Sequence, residues 1–174
     1  YVDVPAGDAV AAAVTVEQAG QSVPVLETTL DLDPDVRYSL VVLNEAANLE
    51  AVLVADPFPE PVAGSLSVRV IHGAVSAGEV DVYVTAPGTP LGDAGAPVLA
   101  GVPFSAVSDP LELAAGDYQI RVTPAGNAEI LYDSGPISLG AGDEINLVAV
   151  DGPVGLDVQA LFGRAFAGDP RADH

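Results

Sequence analysis

Short stretches of alternating apolar and polar residues run along the second half of the chain. In Glu79–Val84 every second residue is valine, which is the period of a strand with one buried face. The pattern predicts eight strands, separated by glycine- and proline-rich turns: Ser67–His72, Glu79–Val84, Val98–Val102, Leu111–Leu113, Tyr118–Thr123, Ala128–Tyr132, Asp143–Val150 and Val154–Phe162. Short strands at this spacing are typical of an all-β sandwich or barrel.

Four more predicted strands precede these, and their order repeats that of the last four: Val10–Gln18, Val23–Thr28, Val36–Leu43 and Leu49–Val54. Val14–Val16 corresponds to Ile120–Val122, and Ser39–Leu43 corresponds to Asn146–Val150, at a nearly constant offset along the chain. Such self-similarity indicates tandem copies of one structural unit. The alanines of Asp8–Ala19 would also suit a helix, but the β-branched residues in that segment favour a strand.

The first copy lacks the front half that the second copy has. Tyr1–Asp8 matches Leu111–Asp117, which lies midway through copy two. The sequence therefore predicts the C-terminal part of a first module at residues 1–55, a proline-rich linker at 56–65, a complete second module at 66–163 and a tail at 164–174.

A half module would expose unpaired strand edges and an apolar face, with Val14, Val16, Leu40 and Val42 among its residues. We expect it to be completed either by residues upstream of Tyr1, which is the interpretation we favour, or by strand addition from a neighbouring chain. Other copies of the same protein or repeat are therefore the expected partners.

The composition further limits the classes of partner that the protein is expected to bind. The 174 residues include 25 acidic side chains and five arginines, which gives a formal net charge of −20. Such a charge repels phosphate backbones and anionic membrane surfaces, so it argues against nucleic-acid binding. The sequence contains no uninterrupted run of 18 apolar residues, so it does not predict insertion into a membrane. The acidity fits growth at high salt, the collection of divalent cations or, as we favour, the solubility of a secreted protein.

Three acidic residues form the one candidate metal site. Asp31, Asp33 and Asp35 lie two apart around a strand end and a turn, so their carboxylates could converge on a hard cation, for which calcium is the candidate. The spacing does not match the twelve-residue calcium loop, and we favour a solvated acidic turn.

We expect no enzymatic activity and no cofactor. His72 ends a strand beside a turn, and no nucleophile-containing motif accompanies it. Its expected role is structural, with the ring bonded to a neighbouring backbone group at one end of the sandwich. The Thr85–Ala96 loop is rich in proline and glycine and is the best candidate for recognition.

A motif in the second copy resembles a known family. Arg69–Ala74 followed by Val80–Val84 is similar to the opening of the domain of unknown function 4397, which occurs in tandem in exported bacterial and archaeal proteins. Tyr1–Gly7 is similar to the acid-containing turn in the middle of that pattern. The turn Gly73–Gly78 departs from the usual Ser-Pro-Asp-Ala-Pro. The resemblance implies two tandem immunoglobulin-like β-sandwich modules outside the cell, and it implies no reaction.

Two functions follow as expectations. The first is a non-catalytic structural or adhesive repeat of a cell-surface or fibre-forming protein, which the tandem repetition and the stiff linker favour. The alternative is a module that binds a carbohydrate, a peptide or a cation through loops at one end of the sandwich.

Overall fold

The structure, a computed structural model, describes residues 5–18, 20–34, 36, 38–43, 49–55 and 61–163. The chain divides into two compact units, Tyr1–Pro57 and Phe58–His174, here called unit 1 and unit 2. Unit 1 contains the strands β1 (Gly7–Gln18), β2 (Gln21–Leu32), β3 (Tyr38–Leu43) and β4 (Glu50–Ala55). Unit 2 contains β5 (Ser65–Gly73), β6 (Val80–Thr85), β7 (Leu99–Val102), β8 (Leu111–Ala114), β9 (Gly116–Pro124), β10 (Tyr132–Leu139), β11 (Glu144–Gly152) and β12 (Gly155–Gly163).

Unit 1 consists of two antiparallel hairpins, β1–β2 and β3–β4. Gln18 lies opposite Gln21, and Gly20 between them has a φ of 79°, the left-handed region that a tight hairpin turn requires. The alanine-rich segment that begins at Gly7 is a strand, so the strand prediction for this segment is confirmed.

Unit 2 is a sandwich of two four-stranded sheets, in the orders β10-β9-β6-β7 and β12-β11-β5-β8. All pairings are antiparallel except that of β5 with β11, which is parallel. We call β5–β8 the front half of unit 2 and β9–β12 its back half. The all-β prediction with sandwich-like layers is confirmed, and its immunoglobulin-like detail stays a prediction.

The core of unit 2 lies between the two sheets. It is a cluster of apolar side chains from both: Leu66, Val68, Val70, Val82, Ile120, Leu139, Ile145 and Leu147. Val148 is also buried, but it follows Leu147 on the strand and therefore faces away from this cluster. β11 is thus covered on both faces, and it lies between β12 and β5 in its sheet.

The predicted position of one strand, Ala128–Tyr132, is wrong. Residues 128–131 are outside strands, and the strand begins at Tyr132 and continues through Gly135 and Pro136. A glycine followed by a proline suggests a turn, but here the pair lies in an edge strand at a register shift between Asp133 and Pro136. An edge strand tolerates the missing N–H of proline, because only one side of the strand needs a partner.

The hairpins of unit 1 resemble the back half of unit 2 in their pairing. In the repeat, Tyr38 corresponds to Ile145 and Ala55 corresponds to Phe162. Tyr38 lies opposite Ala55 in unit 1, and Ile145 lies opposite Phe162 in unit 2. At the other end of the hairpin, Leu43 lies opposite Glu50 as Val150 lies opposite Asp157. The β3–β4 register is therefore the same as the β11–β12 register. The β1–β2 register differs from that of β9–β10, because a longer connection joins the latter two strands.

Candidate functional site

The acidic candidate site is only partly described. Asp31 and Asp33 are exposed, and Asp35 lies outside the described residues. A carboxylate oxygen of Asp31 accepts the Ala9 N–H at 2.9 Å, and the Tyr38 hydroxyl donates to Asp33 at 3.3 Å. Among the described residues no group of three acidic or histidine side chains could hold a metal ion. The two described carboxylates thus accept from different groups, Asp31 from β1 and Asp33 from the first residue of β3, and the calcium site stays a prediction.

His72 is completely buried at the end of β5. Its Nε2 lies 2.6 Å from the Gly78 carbonyl oxygen, and the Ala74 N–H donates to its Nδ1 at 3.4 Å. The carbonyl can only accept, so the ring hydrogen is on Nε2 and Nδ1 is the acceptor. The edge of the ring meets Phe104. His72 therefore holds the turn after β5 in place, and its predicted structural role is confirmed.

Asp81 joins an edge strand to a turn on the outer face of the β10-β9-β6-β7 sheet. Its side chain is buried, and its two carboxylate oxygens accept the N–H groups of Gly101 and Gly126, each at 2.8 Å. Both glycines have left-handed backbones, with φ of 60° and 70°. The acidic residue of the Val-Asp-Val-Tyr motif is thus a clamp between strand β7 and the turn after β9. The alternating pattern predicted that Asp81 lies on this face, but it did not predict the hydrogen bonds to Gly101 and Gly126.

A second polar cluster lies beside this clamp. Arg121 Nε donates to Asp133 at 3.1 Å, and the Arg121 side chain is 6% exposed against 37% for Asp133. Gln119 donates to the same carboxylate at 2.7 Å and accepts the Gly88 N–H at 2.8 Å. Arg121 Nη1 is buried without a hydrogen-bond partner in the described structure. The cluster links the edge strand β10 to the loop after β6.

Two pKa values in this region are shifted. Burial opposes ionisation of Asp133, but hydrogen bonds from Gln119, the Gly135 N–H and Arg121 outweigh it and hold the pKa of the carboxyl below its usual value. Burial, together with the carboxylates of Asp157 and Asp133, raises the pKa of the Tyr132 phenol. The two pKa shifts favour an ionised Asp133 and a neutral Tyr132 at neutral pH. Constant charge states of this kind suit a structural cluster.

The candidate recognition loop is long and mostly exposed between Thr85 and Ala96. A short 3₁₀ turn at Leu91–Asp93 shapes it, and the bond from Gly88 to Gln119 anchors it to β9. The loop therefore has a fixed base and a solvent-facing tip, an arrangement that is suited to recognition.

One void between the sheets of unit 2 is too small for an organic ligand. A void of about 10 Å³ lies between the sheets, lined by His72 and apolar side chains such as Val82 and Ile120. This volume is at the lower limit for a single water molecule.

Unit 1 has an open side, by which we mean the edge of β1 that faces away from β2 and the edge of β3 that faces away from β4. Among the described strands, β1 pairs with β2 alone and β3 pairs with β4 alone. The outer strands β2 and β4 contact each other, as β10 and β12 do in unit 2. Apolar side chains near the open side are partly exposed, with 45% of Val16 and 37% of Leu40 and Val42 accessible.

The sequence is similar to a known family. Residues 1–83 match the family model described as Domain of unknown function (DUF4397). The matched range includes the strands of unit 1 and ends at Tyr83 in β6, so it contains Arg69–Ala74 and all but the last residue of Val80–Val84. No curated protein matches the sequence. No helix among the described residues is long and apolar enough to cross a membrane.

Proposed function

We propose that the chain is a non-catalytic structural or adhesive module of an extracellular or cell-surface protein. The match of residues 1–83 to the family described as Domain of unknown function (DUF4397) is consistent with this role. One observation carries this proposal: the polar groups most suited to chemistry bind the protein's own backbone. His72 holds the turn after β5, and Asp81 holds strand β7 and the turn after β9.

The repeated pairing of β3–β4 and β11–β12 also supports the proposal. Repetition of one structural unit along a chain is how extended repeat proteins are built. The net charge of −20 would keep such a surface soluble and hydrated.

The test is the location of the native protein. Antibodies raised against the full chain should label intact cells that produce it, and external protease should remove the label. An antibody against a cytoplasmic protein should label the same cells only after permeabilisation. Labelling of the chain only after permeabilisation would contradict the proposal.

A second candidate is a binding module that acts through the Thr85–Ala96 loop, because Gln119 anchors this exposed loop at Gly88. The full chain would be screened on a glycan array and titrated with calcium. Binding through the loop predicts a saturable signal that Gln119→Ala weakens and Glu112→Ala, a change at an exposed residue of β8, leaves unchanged. A signal that both variants retain would place binding elsewhere.

A further inference from the structure

The edge strands of unit 2 differ in how well they could accept another strand. β7 and β8 have four residues each, and β10 contains Pro136 at a register shift. β12 instead pairs with β11 over all nine of its residues without a shift, and it contains no proline and one charged residue, Asp157. Short or irregular edges resist strand addition, whereas a long regular edge accepts it. β12 is therefore the edge strand of unit 2 that is best suited to pairing.

The outer edge of β12, by which we mean the edge that faces away from β11, is capped at one position. The Val158 N–H donates to the Asp157 carboxylate at 2.8 Å, so it points away from β11. Because backbone groups alternate in direction along a strand, Ala160 and Phe162 also turn their N–H and C=O groups to the outer edge. Among the described strands, β12 pairs with β11 alone. Residues 159–163 thus present a strand edge that Asp157 does not cap.

The side chains of this segment are apolar and exposed. Leu161 is 51% exposed and Phe162 is 62% exposed. As neighbours in a strand they project from opposite faces of the sheet. An added strand would therefore bury apolar surface on both faces as well as pair the backbone.

We propose that two copies of the chain pair through the outer edges of their β12 strands, antiparallel and related by a two-fold axis at Leu161. Ala160 of each copy then lies opposite Phe162 of the other. Each such pair exchanges two backbone hydrogen bonds, and all of them use the outward groups of Ala160 and Phe162. The bond between Val158 and Asp157 is left intact.

The side chains support a second copy as the occupant. The two Leu161 residues would form a non-hydrogen-bonded pair, in which the Cα atoms are about 4.5 Å apart and the side chains meet. Phe162 would pack beside Ala160 of the other copy. Asp157 lies outside the paired residues, so no carboxylates face each other across the axis. In a chain with 25 acidic residues, this uncharged segment is suited to the close approach of two copies.

This pairing deepens the proposed structural role, because it would join modules of neighbouring chains. Antibody labelling of intact cells does not require pairing. Failure of the dimer and failure of the extracellular role are therefore separate outcomes.

Sedimentation velocity of the full chain tests the dimer. A concentration series up to about 1 mM in 1 M NaCl should show a monomer–dimer equilibrium, since interfaces of this size bind weakly. The dimer should weaken at low salt, where the net charge of −20 on each copy is less screened.

Two lysine variants locate the contact. Leu161→Lys should weaken dimerisation by about tenfold or more, because two like charges would lie directly opposite each other. Val98→Lys changes the net charge equally at a residue that is 41% exposed and lies outside β12. It should leave the dimerisation constant within about twofold of the parent chain.

Cysteine cross-linking tests the position of the axis, since the chain has no native cysteine. In Leu161→Cys the two Cα atoms would lie at a distance that a disulfide spans. Val154→Cys is the control, because Val154 is 98% exposed in the turn before β12. Air oxidation should link Leu161→Cys chains at least about tenfold faster, since paired thiols have an effective concentration in the millimolar range.

Three results would overturn the inference. The first is a chain that remains monomeric throughout the series in 1 M NaCl. The second is a dimer that Leu161→Lys weakens no more than Val98→Lys does, measured on variants that melt at the temperature of the parent chain. The third is cross-linking of Leu161→Cys that is no faster than that of Val154→Cys, and this result decides the matter if Leu161→Lys does not fold.

Discussion

At the residue scale, the outer face of β9 shows how polar side chains become part of the interior. Gln119, Arg121 and Thr123 alternate with the core residues Ile120 and Val122, and all five are buried. A strand with one polar face is ordinarily half exposed. Here the polar face is covered, and Gln119 forms hydrogen bonds to the loop after β6 and to the edge strand β10.

The ionised form of Asp133 should stabilise the fold in a pH-dependent way. Its pKa is lowered in the folded state, so its contribution is fully present above the unfolded value of about 3.9 and is lost as pH falls through the folded value. Denaturant unfolding between pH 7 and pH 2 should show stability falling at the acid end. Asp133→Asn should be less stable at pH 7 and should show a shallower fall. An unchanged slope in the variant would contradict this assignment.

Leu147 lies in the sandwich core and should be sensitive to truncation. Leu147→Ala should lower the free energy of unfolding by about 2–5 kcal/mol, because it removes buried methyl groups and leaves a cavity. Leu161→Ala on β12, where 51% of the side chain is exposed, should cost less than about 0.5 kcal/mol. Equal midpoints for the two variants in urea would place Leu147 outside the core.

The core was more predictable than the polar contacts. Valines at every second position of β6 identified its buried face from the sequence alone. The pattern also placed Asp81 on the opposite face. It could not show that Asp81 is buried, because its partners are the backbone N–H groups of Gly101 and Gly126, which are distant in the sequence. The structural role of His72 was predictable because its partner, Gly78, is close in sequence.

At the scale of the elements, most strands lie within a few residues of their predicted positions, and β10 is the exception. Its sequence contains Ser134, Gly135 and Pro136, which together suggest a turn. In the structure the Ser134 hydroxyl accepts the Ile120 N–H, so a side chain supplies a bond of the ladder where the register shifts. Periodicity cannot identify such a strand, because the irregular residues interrupt the period.

Gly135 should be required for that irregularity. Its φ is 63°, a conformation that strains any residue with a Cβ, although the space around it is open. Gly135→Ala should therefore reduce stability by about 1–2 kcal/mol. Gly92→Ala, in a loop where φ lies outside the left-handed region and the space is also open, provides the control. A thermal melt in which both variants match the parent would argue against strain at Gly135.

At the scale of the whole molecule, the net charge of −20 should make stability depend on salt. Like charges repel more strongly in the compact state, and salt screens this repulsion over about 10 Å at 0.1 M. The melting temperature should therefore rise from low salt to 1 M NaCl.

Calcium chloride at matched ionic strength separates two explanations of that rise. Screening alone predicts equal melting temperatures in the two salts. A larger rise in calcium would support a cation site such as the one predicted at Asp31, Asp33 and Asp35. A melting temperature that stays constant or falls as either salt is added would show that electrostatic self-repulsion does not significantly destabilise the fold.

The strand order of unit 2 also determines how it responds to a mechanical load. Ser67 at the start of β5 and Gly163 at the end of β12 both lie level with Glu144, on either side of β11. Two strand spacings therefore separate the points where the chain enters and leaves, which is about 10 Å. Tension along the chain would peel the sheet from one end, breaking its hydrogen bonds one after another.

A module loaded in this way yields at low force and extends as a compliant link. The absence of native cysteines allows unique attachment points for force spectroscopy. Cysteines in place of the exposed residues Ala63 and Phe162 would load the sheet from one end. The pair Ala63 and Val154 would load it lengthwise, so that many hydrogen bonds resist together. We expect the second pair to need the greater force. Unit 2 would then yield easily when pulled where the chain enters and leaves it, and resist when pulled along its strands.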